Sequence, residues 1–170
     1  MRNLATLCFA SLLALGSTAN ATERREHGAH AHGHAELRAI LDEGALAIEI
    51  EAPGADIVGF EHLPKSDADK AKVAAARATL LDAERMFRLP AAAGCALDDA
   101  TAAYETLEEA GHAAFHAAYQ WTCAAPGKLD AVVVRYFEHF PATEELDAEI
   151  VGPSGQSARE LTATENRFRF

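Results

Sequence analysis

A short histidine tract near the N-terminus carries the residues best suited to chemistry. Within eight residues it places four imidazoles, spaced by glycine and alanine and flanked by two carboxylates: His27, His30, His32 and His34, with Glu26 and Glu36. Neutral imidazole is a common ligand for Zn²⁺, Cu²⁺ and Ni²⁺. Alternate residues of an extended segment face the same way, so His30, His32 and His34 would line one side. Such a tract is typical of metal binding.

Two other interpretations of the tract are a purification tag and a solvated leader with no specific ligand. The tract is interrupted and irregular, and it follows a secretion signal, which argues against a tag. Its composition alone does not distinguish a tight metal site from a loose collector of ions.

The residues before the tract have the pattern of a cleaved secretion signal at 1–21. Arg2 supplies a positive charge, residues 4–15 are almost entirely apolar, and Ala19-Asn20-Ala21 has the small residues that a signal peptidase requires. Cleavage there predicts an exported protein with a histidine-rich leader at 22–36 and a single domain at 37–170. No later segment reaches the roughly 20 apolar residues of a membrane span, so we expect no membrane insertion after cleavage.

Removal of the signal also settles the charge and the cysteine count. Only Arg2 is lost from the charged residues, so the net charge changes from −11 to −12. An acidic surface argues against nucleic acid and anionic membranes as partners and is compatible with attracting cations. Cys95 and Cys123 remain, and an even pair in an oxidising compartment predicts a disulfide bond. Two thiolate metal ligands are the alternative, although the chain has no Cys-x-x-Cys pair.

Hydrophobic periodicity predicts an α+β fold, an antiparallel β-sheet of hairpins with one main helix packed on it. Apolar and charged residues alternate over 34–53 on either side of a glycine turn, as in a hairpin with one buried face. A second hairpin is predicted at 148–163. Ser66 has the character of an N-cap with Asp69 as its capping-box partner, and an apolar stripe at helical spacing predicts a helix from Ser66 to Leu89.

Three further histidines are candidate metal ligands, but their geometry depends on ambiguous segments. Residues 98–111 favour neither helix nor strand clearly, whereas 119–123 and 132–137 favour strands. On a helix His112 and His116 could chelate one ion, while on a strand they would face the same side about 13 Å apart. The alternation through Phe115, Ala117 and Tyr119 favours the strand, so each histidine would need ligands from elsewhere. The leader could supply them. His62 is a candidate in an irregular segment, and His139 is interpreted as a surface residue.

Four segments in a fixed order resemble the DUF2796 family: EHGAHAHGHAEL, VGFEHLPKSDADK, LPAAAGC and HAAFHAAYQWTC. The resemblance runs over essentially the whole mature chain. It implies a periplasmic zinc-binding protein that assists high-affinity zinc import and feeds the solute-binding component of an ABC transporter. It also implies that the family's histidine tract corresponds to His27, His30, His32 and His34, and its histidine-bearing strand to His112 and His116.

Two other classes of function remain open beside a zinc-binding accessory protein. One is an adaptor module with incidental metal affinity. The other is a zinc-dependent hydrolase, which would need a general base and a walled pocket around three ligands and an open position. The sequence has no His-Glu-x-x-His motif, and a glycine-spaced leader is a poor preorganised site. We therefore expect a protein without enzymatic activity, with Zn²⁺ as its ligand and other divalent transition metals as competitors.

Overall fold

The computed structural model describes residues 33–106 and 112–170, which form two β-sheets and a few helices. The larger sheet has six strands in the order β4-β5-β2-β1-β7-β8 and the smaller has three in the order β3-β6-β9. The strands are β1 (His34–Asp42), β2 (Ala45–Pro53), β3 (Phe87–Arg88), β4 (Cys95–Thr106), β5 (Ala113–Cys123), β6 (Val132–Val134), β7 (Glu145–Gly152), β8 (Gly155–Thr162) and β9 (Arg167–Phe168). The helices are α1 (Gly54–Val58), α2 (Asp67–Leu80), α3 (Ala83–Met86) and α4 (Tyr136–His139), with 3₁₀ turns at Ala91–Ala93 and Pro126–Lys128.

The first predicted hairpin is confirmed, and the second begins earlier than predicted, at Glu145 rather than at residue 148. In the first, β1 pairs with β2 around Glu43 and Gly44, whose φ values of 46° and 99° give the turn that suits twisted strands. In the second, β7 pairs with β8 through Gly152 and Gly155. Burial alternates along β1, with Leu37 and Leu41 inside and His34 and Glu36 outside, as the sequence pattern indicates.

The larger sheet is mixed, however, and this corrects the prediction of a purely antiparallel sheet. The first strands of the two hairpins, β1 and β7, run parallel, with His34 opposite Glu145 and Ile40 opposite Val151. The parallel pair is possible because more than 100 residues of chain connect the two strands, whereas a tight turn permits only antiparallel neighbours.

The main helix is shorter than predicted. Its N-terminus is as expected, because Ser66 Oγ accepts a hydrogen bond from Asp69 N and Ser66 N donates to the Asp69 carboxylate. The helix ends at Leu80, not Leu89. The buried Tyr119 hydroxyl of β5 donates a 2.6 Å hydrogen bond to the Leu80 carbonyl, one of the groups that a helix terminus leaves without an internal partner. Asp82 then caps α3 through Arg85 N.

One hydrophobic core lies between the inner face of the larger sheet, the helices and the smaller sheet. Phe87 of β3 packs edge-on against Tyr119 and Trp121 of β5, at centroid distances of 5.1 and 5.8 Å. The strand predicted at 132–137 is correct only in its first half, because β6 ends at Val134. Helix α4 begins at Tyr136, whose ring is buried in the core.

The ambiguous segment before His112 is a strand as far as it is described. Strand β4 covers Cys95–Thr106, and residues 107–111 lie outside the described part. The predicted disulfide between Cys95 and Cys123 is confirmed, and it joins directly paired residues of β4 and β5. Among the described residues no helix is long and apolar enough to cross a membrane.

Candidate metal centre

The outer face of the larger sheet, opposite the core, carries an unusual line of acidic side chains. Successive strand registers place Glu51 opposite Glu36, Glu36 opposite Asp147, and Asp147 opposite Glu160. We call these four residues the carboxylate row. Neighbouring strands are about 4.8 Å apart, and like charges directly opposite each other destabilise a sheet. The row therefore concentrates negative charge on β2, β1, β7 and β8.

The next line of residues along the same face is arranged differently. There Arg38 of β1 lies between two glutamates, 3.6 Å from a Glu49 carboxylate oxygen and 3.7 Å from one of Glu149. Opposite charges thus alternate across three strands. The four residues of the carboxylate row, by contrast, are all acidic.

His116 lies at the β5 end of the carboxylate row. It is opposite Glu51 in the β2–β5 ladder, and its Nδ1 atom is 3.5 Å from Glu51 Oε2. Both side chains are about one-third exposed. At this distance of 3.5 Å the two side chains form an ion-pair contact rather than a short hydrogen bond. A carboxylate on one ring nitrogen is common behind metal-bound histidines, and the ring nitrogen of His116 that does not face Glu51 is Nε2.

His112 forms a second imidazole–carboxylate pair at the start of β5. Its Nδ1 atom contacts Glu61 Oε2, and Ala113 N donates a 2.9 Å hydrogen bond to the Glu61 carbonyl. The Tyr104 hydroxyl lies 3.1 Å from the Phe60 carbonyl oxygen and 3.2 Å from that of His62, which fixes the segment carrying Glu61. Burial, and then the negative charge of Glu61, raises the pKa of Tyr104 to about 12, so this hydroxyl remains a donor.

His62, by contrast, is held in place by its immediate neighbours. Its ring stacks on Phe60 at 4.7 Å, and its Nδ1 atom lies 2.9 Å from the Leu63 carbonyl oxygen. The adjacent Glu61 points to His112 rather than to His62. His62 is therefore near the second pair but is not part of it.

His34 forms a third pair, with Glu145 on the parallel strand β7, and Nδ1 is 3.7 Å from Oε2. Glu145 also belongs to a group of three carboxylates, with Asp147 and Glu160, whose oxygens lie within 4.8 Å of one another. Glu145, Asp147 and Glu160 are not among the metal ligands predicted from the sequence. The alternation of β7 indicates that they face outward, but their meeting with His34 depends on the parallel β1–β7 register, which local patterns do not reveal.

The three pairs are separate from one another. His116 is on β5 and His112 immediately precedes that strand, about 13 Å away at Cα, and His34 is on β1, two strands from β5. Within residues 33–106 and 112–170 no three imidazoles converge on one point. The other predicted ligands, His27, His30 and His32, lie outside the described residues, as does the predicted signal at 1–21. His139, interpreted as a surface residue, is half-buried, and its Nε2 atom has no hydrogen-bond partner.

The described residues define a small β-sheet protein whose outer face combines imidazoles with carboxylates. Comparison with known families narrows this class. A family model described as ZrgA family zinc uptake protein matches residues 29–170, which include His30, His32 and His34, and the chain therefore belongs to the ZrgA family. The ZrgA family is the DUF2796 family, so this match confirms the resemblance inferred from the four sequence segments. A search of curated proteins finds no match to this chain.

Proposed function

We propose that the protein captures Zn²⁺ in the periplasm through the histidines of its leader and of the outer sheet face, and passes it to the solute-binding component of an ABC-type importer. One observation carries this proposal: His34, His112 and His116 each direct Nδ1 toward a glutamate carboxylate. Because Nδ1 faces the carboxylate in each of these three histidines, Nε2 is the ring nitrogen that would bind a metal in each. The family's zinc uptake role supports zinc as the metal.

The carboxylate row supports the same function through electrostatics. A face lined by one sign of charge raises the local concentration of the opposite ion. His116 lies at the β5 end of the row and His34 lies two residues before Glu36 on β1, so divalent cations attracted by the row concentrate beside both imidazoles. Zinc accepts both nitrogen and oxygen ligands in tetrahedral sites, and carboxylates of the row could complete its coordination.

The sheet topology supports a role for the leader histidines beside those near β5. Both β1 and β5 are antiparallel to β2, so their first residues lie at the same end of the sheet. The registers place His34 about 12 Å from His116 and a similar distance from His112 at Cα. Four extended residues span about 14 Å, so His30 can reach either β5 histidine from its attachment at His34. The leader would supply the further ligands that His112 and His116 need.

The proposal assigns binding and transfer, and no catalysis. The ZrgA family is a zinc uptake family rather than an enzyme family. Ligands that assemble from a leader and an open sheet face lose conformational freedom when they bind, and that cost weakens affinity relative to a rigid cage. A moderate affinity suits a protein that releases its metal to a partner.

Zinc titration of mature, metal-free protein against a competing chelator tests this function. We expect the triple variant His30→Ala, His32→Ala, His34→Ala to lose most zinc affinity, and the double variant His112→Ala, His116→Ala to lose part of it. His139→Ala, which removes an imidazole away from the three pairs, should bind as the native protein does. Full affinity in the triple variant would contradict a role for the leader, and full affinity in the double variant would contradict a role for β5.

Transfer is tested separately. Zinc-loaded protein is mixed with a metal-free solute-binding protein of a zinc importer, and the zinc content of each is measured after separation. Transfer faster than spontaneous zinc release from the loaded protein alone supports the accessory role. Transfer no faster than that release contradicts it and favours an adaptor with incidental metal affinity.

A further inference from the structure

Among the described residues, strand β8 forms one of the two edges of the larger sheet. Its register with β7 is unbroken from the pair Glu145–Thr162 to the pair Gly152–Gly155, and residues 155–160 are exposed. An edge strand presents backbone groups to which another strand can be added, and natural proteins usually protect such edges with bulges, lysine, proline or a covering segment. Strand β8 contains no bulge, lysine or proline.

The opposite edge of the sheet, β4, is protected. A bulge interrupts its pairing with β5 between Leu97 and Asp99, where Asp98 and Asp99 also place two exposed charges. Farther along the strand, Arg77 of α2 donates a 3.0 Å hydrogen bond from Nε to the Ala102 carbonyl oxygen. Bulges and charges of this kind discourage the addition of another strand. The two described edges therefore differ, and β8 is the one open to a partner.

One hydrogen bond identifies the backbone groups of β8 that face away from β7. Thr162 N donates a 3.3 Å hydrogen bond to the Glu165 carbonyl, outside the β7–β8 ladder. In an antiparallel pair, residues that exchange hydrogen bonds with the neighbouring strand alternate with residues that do not. Gln156, Ala158 and Glu160 have the same parity as Thr162, so their N–H and C=O groups also point toward the free edge.

A cavity of about 370 Å³ lies beside the same edge. It is lined by Arg159, Glu160 and Leu161 of β8 and by residues 164–167, which follow the strand. Recognition by strand addition combines main-chain hydrogen bonds, which supply affinity, with pockets for alternate side chains, which supply specificity. The edge of β8 offers both, because the cavity has space for a side chain of the added strand.

The carboxylate row indicates which side chain the added strand should carry. The row ends on β8 at Glu160, and a residue directly opposite Glu160 on an added strand would lie about 5 Å away on the same face. In the neighbouring line, Arg38 lies between Glu49 and Glu149 and balances their charges. A lysine or arginine opposite Glu160 would do the same at the end of the carboxylate row.

A second copy of this chain does not meet that requirement through its own β8. The basic residue of β8 is Arg159, which shares its parity with the buried Leu161 and so lies on the opposite face from Glu160. Directly opposite residues of paired strands share a face, so Arg159 of one copy would not lie opposite Glu160 of another. The net charge of −11 also opposes the association of two copies.

We propose that the free edge of β8 is a docking site for an extended segment of a partner protein, with a lysine or arginine of that segment opposite Glu160. The segment pairs through its backbone with Gln156, Ala158 and Glu160 and extends the sheet by one strand. The identity of the partner rests on the proposed function, in which it is the protein that receives the metal.

A pair of synthetic peptides tests the edge in metal-free protein. Both are short blocked peptides of alternating threonine and valine, one with lysine at its centre and the other with glutamate. Binding is followed through the backbone amide signals of the protein in NMR spectra at low ionic strength. We expect shifts concentrated at Gln156, Ala158 and Glu160. The lysine peptide should bind about fivefold more tightly, because opposite charges across paired strands are favourable and like charges are not.

Charge reversal separates this contact from general attraction to an acidic protein. Glu160→Lys should invert the preference, so that the glutamate peptide binds more tightly. Asp99→Lys makes the same change of charge on the β4 edge and should leave the preference for lysine intact. An unchanged preference in Glu160→Lys, or peptide-induced shifts that lie away from β8, would overturn the proposal.

Variants of Ala158 test the backbone pairing. Ala158→Pro removes an edge-facing N–H and should abolish peptide binding, whereas Ala158→Val keeps that N–H and should bind as the native protein does. A native dimer in sedimentation experiments that is lost in Ala158→Pro would assign the edge to a second copy and overturn the proposal. If Ala158→Pro does not fold, the preference of Glu160→Lys decides the question.

Failure of this inference can be told from failure of the proposed function. In the zinc transfer assay, Ala158→Pro should lose the acceleration over its own spontaneous release, and Ala158→Val should keep it. Native transfer no faster than spontaneous release contradicts the proposed function, while the peptides still test the edge. Accelerated transfer in both variants, with no peptide bound at β8, overturns the inference and leaves the proposed function standing.

Discussion

Glu51 lies directly opposite His116 across the β2–β5 ladder, with its Oε2 atom 3.5 Å from the Nδ1 atom of the imidazole. Glu49, two residues earlier on the same strand and the same face, contacts Arg38 instead. Strand β2 therefore carries two outward-facing glutamates, one facing an imidazole and the other a guanidinium. This contrast supplies a matched pair of variants.

Glu51→Gln should weaken zinc binding about tenfold, because loss of a carboxylate behind a metal-bound histidine typically costs 10- to 100-fold in affinity and this pair is partly solvated. Glu49→Gln should change affinity by less than about twofold. Both constants are measured by chelator competition at pH 7.5 and low ionic strength. Equal effects of the two variants would show that overall negative charge matters and that the His116–Glu51 pair does not.

Zinc affinity should fall steeply as the pH decreases from 7.5 to 5.5. A free imidazole titrates near pH 6.5 and must be neutral to bind metal, so protons compete with zinc below that pH. Protonation of each imidazole in the site lowers the zinc affinity about tenfold over this pH interval, and protonation of two lowers it about 100-fold. Replacing His112 and His116 with alanine should flatten the dependence. A native profile that is flat over this range would indicate that carboxylates alone bind the metal.

The disulfide should stabilise the fold without contributing a metal ligand. Cys95 and Cys123 are 28 residues apart in sequence, for which the chain-entropy model gives about 3.5 kcal/mol. Replacing both with serine should lower the free energy of unfolding in urea by about this amount and leave zinc affinity unchanged. The oxidised protein should gain the mass of two hydrogens on reduction. Reduced zinc affinity in a folded double-serine variant would instead indicate thiolate ligands.

The capping box of α2 should make stability depend on pH in the acid range. Hydrogen bonding from the Ser66 side chain, and then from its backbone, lowers the pKa of the Asp69 carboxyl below its ordinary value of 3.8. A carboxyl with a lowered pKa stabilises the fold above its unfolded pKa, and this contribution is lost as the pH falls through the folded pKa. Asp69→Asn should therefore flatten the decline in unfolding free energy below about pH 4.

The serine of the same box gives a measurement at neutral pH. Ser66→Ala should lower the free energy of unfolding by about 1 kcal/mol, the usual cost of losing an N-cap. Ser157→Ala, which removes an exposed serine on β8, should have little effect. Equal stability of the two variants would contradict the contribution of the cap.

Local patterns predicted the elements that depend on neighbouring residues. The alternation over 34–53 predicted which face of β1 is buried, and the capping box predicted where α2 begins. The same apolar spacing continued through Ala83 and Phe87, which are buried as expected, yet it did not reveal that the helix ends at Leu80. That end depends on a hydroxyl of β5, 39 residues later in the sequence. Helical spacing describes burial, but it does not show where tertiary contacts end the helix.

The residues of the candidate site were likewise predictable only in part. Residue parity on β5 placed His116 on the outer face, and the strand interpretation correctly separated it from His112. Its partner Glu51, and the pairing of His34 with Glu145, depend on registers between strands distant in sequence.

The position of β1 in the sheet also determines how the fold resists a force applied to its N-terminal end. Because β1 has hydrogen-bonded neighbours on both sides, β2 and β7, a force applied along the leader is resisted by two ladders at once rather than by a fraying edge. Under the proposed function, a partner that takes metal from the leader would pull against a strand that is hydrogen-bonded on both sides.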